Sequence, residues 1–89
     1  MKVRFSPEAW EDFEYWRETD PKLEKKIRTL IKECQRHPFT GTGKPEALKG
    51  DLSGFWSRRI NSEHRLVYRV TGTGDAQTLE IVQARFHYN

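Results

Sequence analysis

Residues 6–38, SPEAWEDFEYWRETDPKLEKKIRTLIKECQRHP, hold two helix starts of the same kind. Ser6-Pro7 supplies an N-cap followed by proline at the first helical position, where its missing N–H costs nothing. Ala9, Phe13 and Trp16 then recur at i, i+4 and i+7, so a first helix runs to about Glu18. Asp20-Pro21 repeats the start signal. Leu23, Ile27, Leu30, Ile31 and Cys34 form an apolar stripe at the helical period that ends before His37-Pro38. The stretch predicts an αα-hairpin with a very short connection.

Outward from the hairpin the period changes. Upstream, Val3 and Phe5 alternate with Lys2 and Arg4 as a short strand. Downstream, a Gly- and Thr-rich loop over 39–44 leads to strands at roughly 54–61, 65–71 and 78–88, with a short piece near 46–49. Their alternation assigns faces. Trp56 and Ile60, then Leu66, Tyr68 and Val70, then Val82, Ala84 and Phe86, turn toward the helices. Ser57 and Arg59, then Arg65, Val67 and Arg69, then Gln83, Arg85 and His87, turn away. Keeping Ile60 beside Leu66 requires an odd-length loop between those two strands. Leu79 and Ile81 fall on the polar side by this count, so a bulge or a lateral contact is expected there. The fold class is α+β: two N-terminal helices on one face of a twisted antiparallel sheet.

The 89 residues make one domain, 1–89, since a separate core needs roughly 50 residues or more. Eleven aromatic residues offset a low apolar fraction of 35%. A lone Cys34 rules out an intramolecular disulfide and reads as a buried small hydrophobe. No apolar run reaches the roughly 18 residues of a membrane span. Met1-Lys2 enters structured sequence with no signal peptide, so a cytoplasmic location and no membrane partner are expected.

Charge is segregated. Residues 8–18 carry five acids and one base, 22–36 six bases and two acids, and 44–69 six bases and three acids. On the uncovered sheet face Arg59, Arg65, Arg69, Arg85 and His87 gather, with Glu46 and Lys49 arriving from the preceding segment. Arginine's planar donor fork fits phosphate oxygens, so a phosphodiester suits this face. Glutamate, arginine and histidine are the minimum set for metal-free RNA cleavage: a base for the ribose 2′-OH, a cation for the phosphorane, and an acid for the leaving 5′-oxygen. Other motifs fail. Gly41-Thr42-Gly43-Lys44-Pro45 lacks P-loop spacing and the Ser/Thr that would hold magnesium. His37, His64 and His87 with one cysteine have no zinc spacing, so no metal or other cofactor is expected. Trp10 and Trp16 read as core or as partner-facing anchors, and His64 as a solvent-exposed turn residue.

The stretch GKPEALKGDLSGFWSRRINSEHRLVYRV, with the terminal ARFHYN and the N-terminal FSPEAWEDFEYWRETDPKLEKKIRTLIKECQRHPFTG, closely resembles the YoeB toxins of bacterial toxin–antitoxin systems, within the RelE superfamily. The resemblance implies a fold like the compact microbial ribonucleases. It also implies a ribosome-dependent mRNA endonuclease acting in the decoding site on the small subunit, with a 2′,3′-cyclic phosphate product and no metal. The implied partners are mRNA on the ribosome with its rRNA, a cognate antitoxin, operator DNA only through the antitoxin complex, and room for a homodimer. By position, Glu46 of K-P-E matches the general base, Arg65 of E-H-R-L the phosphate-stabilising arginine, and His87 of the terminal H-Y the general acid. Lys49, Arg59 and Tyr88 match substrate-contacting positions. The chain departs from the family pattern in a longer loop over 72–78, in Asn89 beyond Tyr88, and in Phe86 where tyrosine is common. The competing reading is a non-cleaving ribosome- or antitoxin-binding module of the same fold; the retained Glu46, Arg65 and His87 favour the enzyme.

Overall fold

The computed structural model describes residues 1–86. His87, Tyr88 and Asn89 lie outside the described residues. In chain order the elements are β1 (Lys2–Phe5), α1 (Pro7–Thr19), α2 (Pro21–Arg36), β2 (Glu46–Ala47), β3 (Trp56–Arg59), β4 (Arg65–Thr71) and β5 (Thr78–Gln83), with single 3-10 turns at Gly50–Leu52 and Gly74–Ala76.

Both helix starts form as the sequence predicts. Ser6 Oγ accepts from the Ala9 N–H at 3.1 Å, and Asp20 Oδ1 accepts from the Leu23 N–H at 3.2 Å. Asp20 also closes α1, its own N–H donating to the Trp16 carbonyl at 2.8 Å. One residue therefore ends one helix and begins the next, which is why the hairpin is so tight. Ala9, Phe13 and Trp16 of α1 and Ile27, Leu30, Ile31 and Cys34 of α2 pack on Leu66, Tyr68, Leu79 and Ile81 from the sheet, with Ile60 and Ala84. Each large apolar side chain in this layer contributes roughly 1.5–3 kcal/mol through burial. Burial also pushes the Cys34 thiol above its ordinary pKa, with Arg58 and Tyr68 opposing, so the cysteine stays protonated. Trp16 is in this core, whereas Trp10 stacks on Phe13 and meets Phe5 edge-on while remaining 44% exposed. Among the described residues no helix is long and apolar enough to cross a membrane.

The five strands lie in the order β1-β5-β4-β3-β2. Three of the four pairings are antiparallel, but β1 runs parallel to β5, with Val3 opposite Leu79 and Phe5 opposite Ile81. The sheet is therefore mixed rather than wholly antiparallel. Alternation within β1 marks its buried side but not its partner, and the long path from β1 to β5 permits either direction. The loop between β3 and β4 spans residues 60–64, odd in length as required.

The largest departure from simple alternation sits in β5. Val67 pairs with Gln83 but the next residue, Tyr68, pairs with Ile81, leaving Val82 as an extra residue. This is a β-bulge, and it inverts the facing of everything before it. Leu79 and Ile81 are fully buried in the core, and Glu80 moves to the uncovered face. Val82 and Phe86 do not join the core; Phe86 is 58% exposed. The bulge is stitched to the start of α1, because Ser6 Oγ donates to the Val82 carbonyl at 3.2 Å and the Ser6 N–H to the Ile81 carbonyl at 2.8 Å.

Candidate active site

Inside an outermost row of Lys2, Thr78 and Thr71, the face of the sheet turned away from the helices carries three further cross-strand rows. One runs Arg4, Glu80, Arg69, ending on the Phe55 ring, whose centroid is 5.0 Å from the Arg69 guanidinium carbon. The middle row is Gln83, Val67, Ser57, Glu46. The third pairs Arg65 with Arg59. Directly opposed residues share a face, so Glu46, Arg59 and Arg65 all belong to this surface. Ser57 and Val67 are buried and form its floor.

Glu46 is exposed on the two-residue edge strand β2, and Lys49 is exposed just before the 3-10 turn at Gly50. Arg59 is exposed at the end of β3, and its N–H donates to the Gly43 carbonyl at 2.7 Å. Arg65 is different, being only 8% exposed. Its Nη1 donates to the carbonyls of Asn61 at 2.8 Å and His64 at 3.1 Å, with a longer approach of 3.5 Å to Ser62. Asn61 Oδ1 in turn accepts from the N–H groups of Glu63 and His64, both at 2.8 Å, so the turn is held from inside. Among the described residues the side-chain bonds of Arg65 all leave from Nη1, so the opposite edge of the fork is not spent on the turn. The result is a guanidinium of fixed orientation, the form in which arginine recognises phosphate best.

Two arginines assigned to this face are not free cations on it. Arg69 Nε donates to Glu80 Oε1 at 2.5 Å, and Glu80 Oε2 also meets Arg4 at 2.9 Å. The bulge put that acid there. Arg85 leaves the sheet altogether, because the strand ends at Gln83; its guanidinium carbon lies 3.5 Å from the Tyr15 ring centroid and 4.5 Å from that of Phe86. Among the described residues Arg59 and Arg65 enter no ion pair, whereas Arg4 and Arg69 share the single Glu80 carboxylate.

His87 and Tyr88 lie outside the described residues, but the chain leading to them is closely held. Ala84 is gripped by α1 at both backbone groups: its N–H donates to Asp12 Oδ2 at 3.0 Å and its carbonyl accepts from Trp16 Nε1 at 2.8 Å. Burial pushes the Asp12 carboxyl above its ordinary pKa, against the Ala84 N–H and Arg85, which lower it. Phe86 is gripped by β4, by the end of β5 and by the turn that precedes β4. Its carbonyl accepts from the Arg65 N–H at 3.0 Å and from Gln83 Nε2 at 3.1 Å, and its N–H donates to His64 Nδ1 at 2.7 Å. His64 is accordingly half-buried against Trp16, with ring centroids 4.8 Å apart, rather than a turn residue facing solvent.

The main residue that sequence reasoning passed over is Arg58. It is fully buried on the helix side of β3. Its Nη1 donates to the Thr42 carbonyl at 3.0 Å, its Nη2 to those of His37 and Thr40, and its Nε to Tyr68 Oη at 3.2 Å. Tyr68 Oη donates onward to the Pro38 carbonyl at 2.5 Å, and Glu33 completes the group 3.6 Å from Nη1. The Thr42 N–H, and then Arg58, hold the Glu33 carboxyl below the usual range. Arg58 thereby shapes the loop that feeds β2 and Glu46. The loop turns through two glycines, Gly41 at φ +110° and Gly43 at φ +86°, conformations that L side chains rarely adopt, and a Cβ on Gly43 would also crowd Arg58 Cβ at 3.2 Å. The signal was present, since the alternation that turns Trp56 and Ile60 inward turns Arg58 inward as well.

No three His, Cys, Asp or Glu side chains come together as a metal-binding group among the described residues. Residues 5–88 match the family described as the YoeB-like toxin of bacterial type II toxin–antitoxin systems. The toxin YoeB of Escherichia coli (strain K12) is 56% identical over 88 residues, which is 99% of this chain and 100% of that protein. A solved YoeB/ParE toxin from Agrobacterium tumefaciens superposes with a TM-score of 0.95 at 53% identity, covering 99% of this chain and 100% of the other. Staphylococcus aureus YoeB, solved as a dimer and in a heterotetrameric YoeB–YefM toxin–antitoxin complex, is 45% identical with a TM-score of 0.85, covering 99% and 98% of the two chains.

Proposed function

The chain belongs to the YoeB-like toxins of bacterial type II toxin–antitoxin systems, and from that premise we propose that it is a ribosome-dependent mRNA endoribonuclease that cleaves in the A site, arrests translation in the cytoplasm, and is neutralised by a cognate antitoxin. The observation that carries this reading is the arrangement at one end of the open face. An exposed carboxylate, Glu46, shares that face with the anchored fork of Arg65, and the residue preceding His87 is bonded to the Arg65 backbone.

In the reaction, the Glu46 carboxylate takes the proton of the ribose 2′-OH. The 2′-oxygen attacks the adjacent phosphorus, and Arg65 stabilises the charge on the non-bridging oxygens of the phosphorane. His87, as imidazolium, gives its proton to the 5′-oxygen as the P–O5′ bond breaks. One fragment ends in a 2′,3′-cyclic phosphate and the other in a 5′-hydroxyl. Glu46 is left protonated and His87 neutral, and both exchange with water. Lys49, Arg59 and Tyr88 hold the strand. The scheme uses side-chain acid and base alone, each contributing typically ~10²–10⁴-fold. A second protein of the kind bound to the Staphylococcus aureus relative would serve as the antitoxin, and operator DNA would be reached only through that complex.

Cleavage on a defined ribosome–mRNA complex tests the reading. The parent should generate the cyclic phosphate end. Glu46→Gln, which keeps size and removes the acceptor charge, should cut about 10²–10⁴-fold more slowly while binding ribosomes as before. Ribosome binding without cleavage by the parent would establish the non-cleaving module instead.

A further inference from the structure

We propose that His64 is a positioning residue for the general acid: by accepting the Phe86 N–H at Nδ1 it fixes the direction in which the chain delivers His87. The inference rests on the acid role assigned to His87 in the preceding subsection.

Phe86 needs such a hold. Its φ is +66°, a left-handed conformation that costs a non-glycine residue about 1 kcal/mol or more. Its ring, 58% exposed, does little to fix the backbone by burial. What holds it is the backbone itself, through one bond to its N–H and two to its carbonyl. The Arg65 N–H bond is part of the strand edge, and the Gln83 amide comes from a side chain that also binds the Arg85 carbonyl at 2.8 Å. Among the described residues the imidazole is the one partner of the Phe86 N–H, and it is itself held on several sides. The His64 backbone N–H is tied to Asn61 Oδ1, the His64 carbonyl accepts from the Ile60 N–H at 3.0 Å and from Arg65 Nη1, and the imidazole ring sits edge-on to Trp16 at 4.8 Å. Trp16 in turn holds the Ala84 carbonyl. To accept at Nδ1 the ring must be the neutral tautomer with its proton on Nε2.

The turn at 61–64 is thus a common mount. Its carbonyls fix the Arg65 guanidinium, and its histidine fixes the residue before the acid. Relative placement of a phosphate-binding group and a proton donor is what acid catalysis at a leaving oxygen requires, and small errors in it are costly.

Single-turnover cleavage on mRNA-loaded ribosomes distinguishes this role from a merely structural one, using two scissile linkages. One is the natural phosphodiester. The other is a 5′-bridging phosphorothiolate, in which the 2′-oxygen attacks phosphorus and the P–S bond breaks to release a thiolate that needs no proton. His64→Phe keeps the packing on Trp16 and removes the acceptor. It should slow cleavage of the natural linkage about tenfold or more, leave ribosome affinity within about twofold, and cleave the phosphorothiolate near the parent rate. His64→Asn, which returns an acceptor near the Nδ1 position, should recover most of the loss. Gln83→Leu, which frees the Phe86 and Arg85 carbonyls from their side-chain donor and leaves the His64 bond in place, should show the same selectivity to a smaller degree and serves if His64→Phe does not fold. Equal losses on both linkages, or no loss on either, would overturn the proposal. His87→Gln is run in parallel: its rescue by the phosphorothiolate upholds the acid role independently of His64, and its failure to be rescued would overturn that role and this inference with it.

Discussion

Arg58 and Arg59 adjoin in the chain and project from opposite faces of β3, and the helix-covered and open faces use them differently. On the covered face Arg58 is fully buried, and its nitrogens are spent on loop carbonyls, the Tyr68 hydroxyl and Glu33. On the open face Arg59 is exposed; its backbone is held by Gly43 and by pairing with Arg65, and among the described residues its guanidinium enters no hydrogen bond or ion pair. The first arginine is a structural strut whose charge never meets a ligand; the second is a charge offered to solvent and to whatever docks there. Arg65 combines the two roles, with one edge of its fork fixed to the turn. Residue type alone therefore says little about what an arginine does in this protein; the face and the set of bonds it makes decide.

The comparison can be broken most directly by removing each strut. Arg58→Met strands three loop carbonyls and the Glu33 carboxylate, so urea unfolding should report a loss of about 3 kcal/mol or more. Arg59→Met should stay within about 0.5 kcal/mol of the parent. Similar midpoint shifts for the two would show that burial does not separate their roles.

Tyr68 sharpens the covered-face side. Burial, opposed in part by Arg58, pushes its hydroxyl up to about 12. An unfolded tyrosine releases its proton near pH 10. Below pH 10 both states keep the proton and stability is unaffected by it. Between about 10 and 12 only the unfolded state ionises, so Tyr68 costs stability by about 1.4 kcal/mol for each pH unit over that window. Tyr68→Phe should be less stable at neutral pH, lacking the bond to the Pro38 carbonyl, yet lose less between pH 10 and 12. Parallel alkaline curves for parent and variant would remove Tyr68 from the covered-face network.

The open-face side is tested by salt. Binding to mRNA-loaded ribosomes should weaken with ionic strength, with a log–log slope of about −0.7 for each phosphate contacted. Arg59→Ala should flatten the slope by about that amount. Glu80→Gln should steepen it, because it releases both Arg4 and Arg69 from the acid that now neutralises them. A slope unmoved by Glu80→Gln would confine RNA to the Arg59–Arg65 end of the face.

By itself the sequence determined what local periodicity can carry. The paired cap-and-proline signals at Ser6-Pro7 and Asp20-Pro21 place both helices, because a helix start depends on groups within four residues of one another. Alternation places Leu66, Tyr68 and Ile60 inward for the same reason, and the resemblance supplies Glu46, Arg65 and His87 as a set. Only the tertiary structure decided the rest. The alternation of Leu79 and Ile81 signals a bulge or a lateral contact in this strand, but that it is a bulge, and that it falls at Val82, is set by pairing with β4 and by Ser6, 76 residues away. From that single extra residue follow the burial of Leu79 and Ile81, the arrival of Glu80 on the open face, and the neutralised Arg69. The parallel partner of β1, the turn that grips Arg65, and the hold of His64 on Phe86 are likewise meetings of segments distant in sequence. Their physical basis is the requirement that each buried or strained backbone group find a partner, and the partner's identity is settled only once the chain has folded around it.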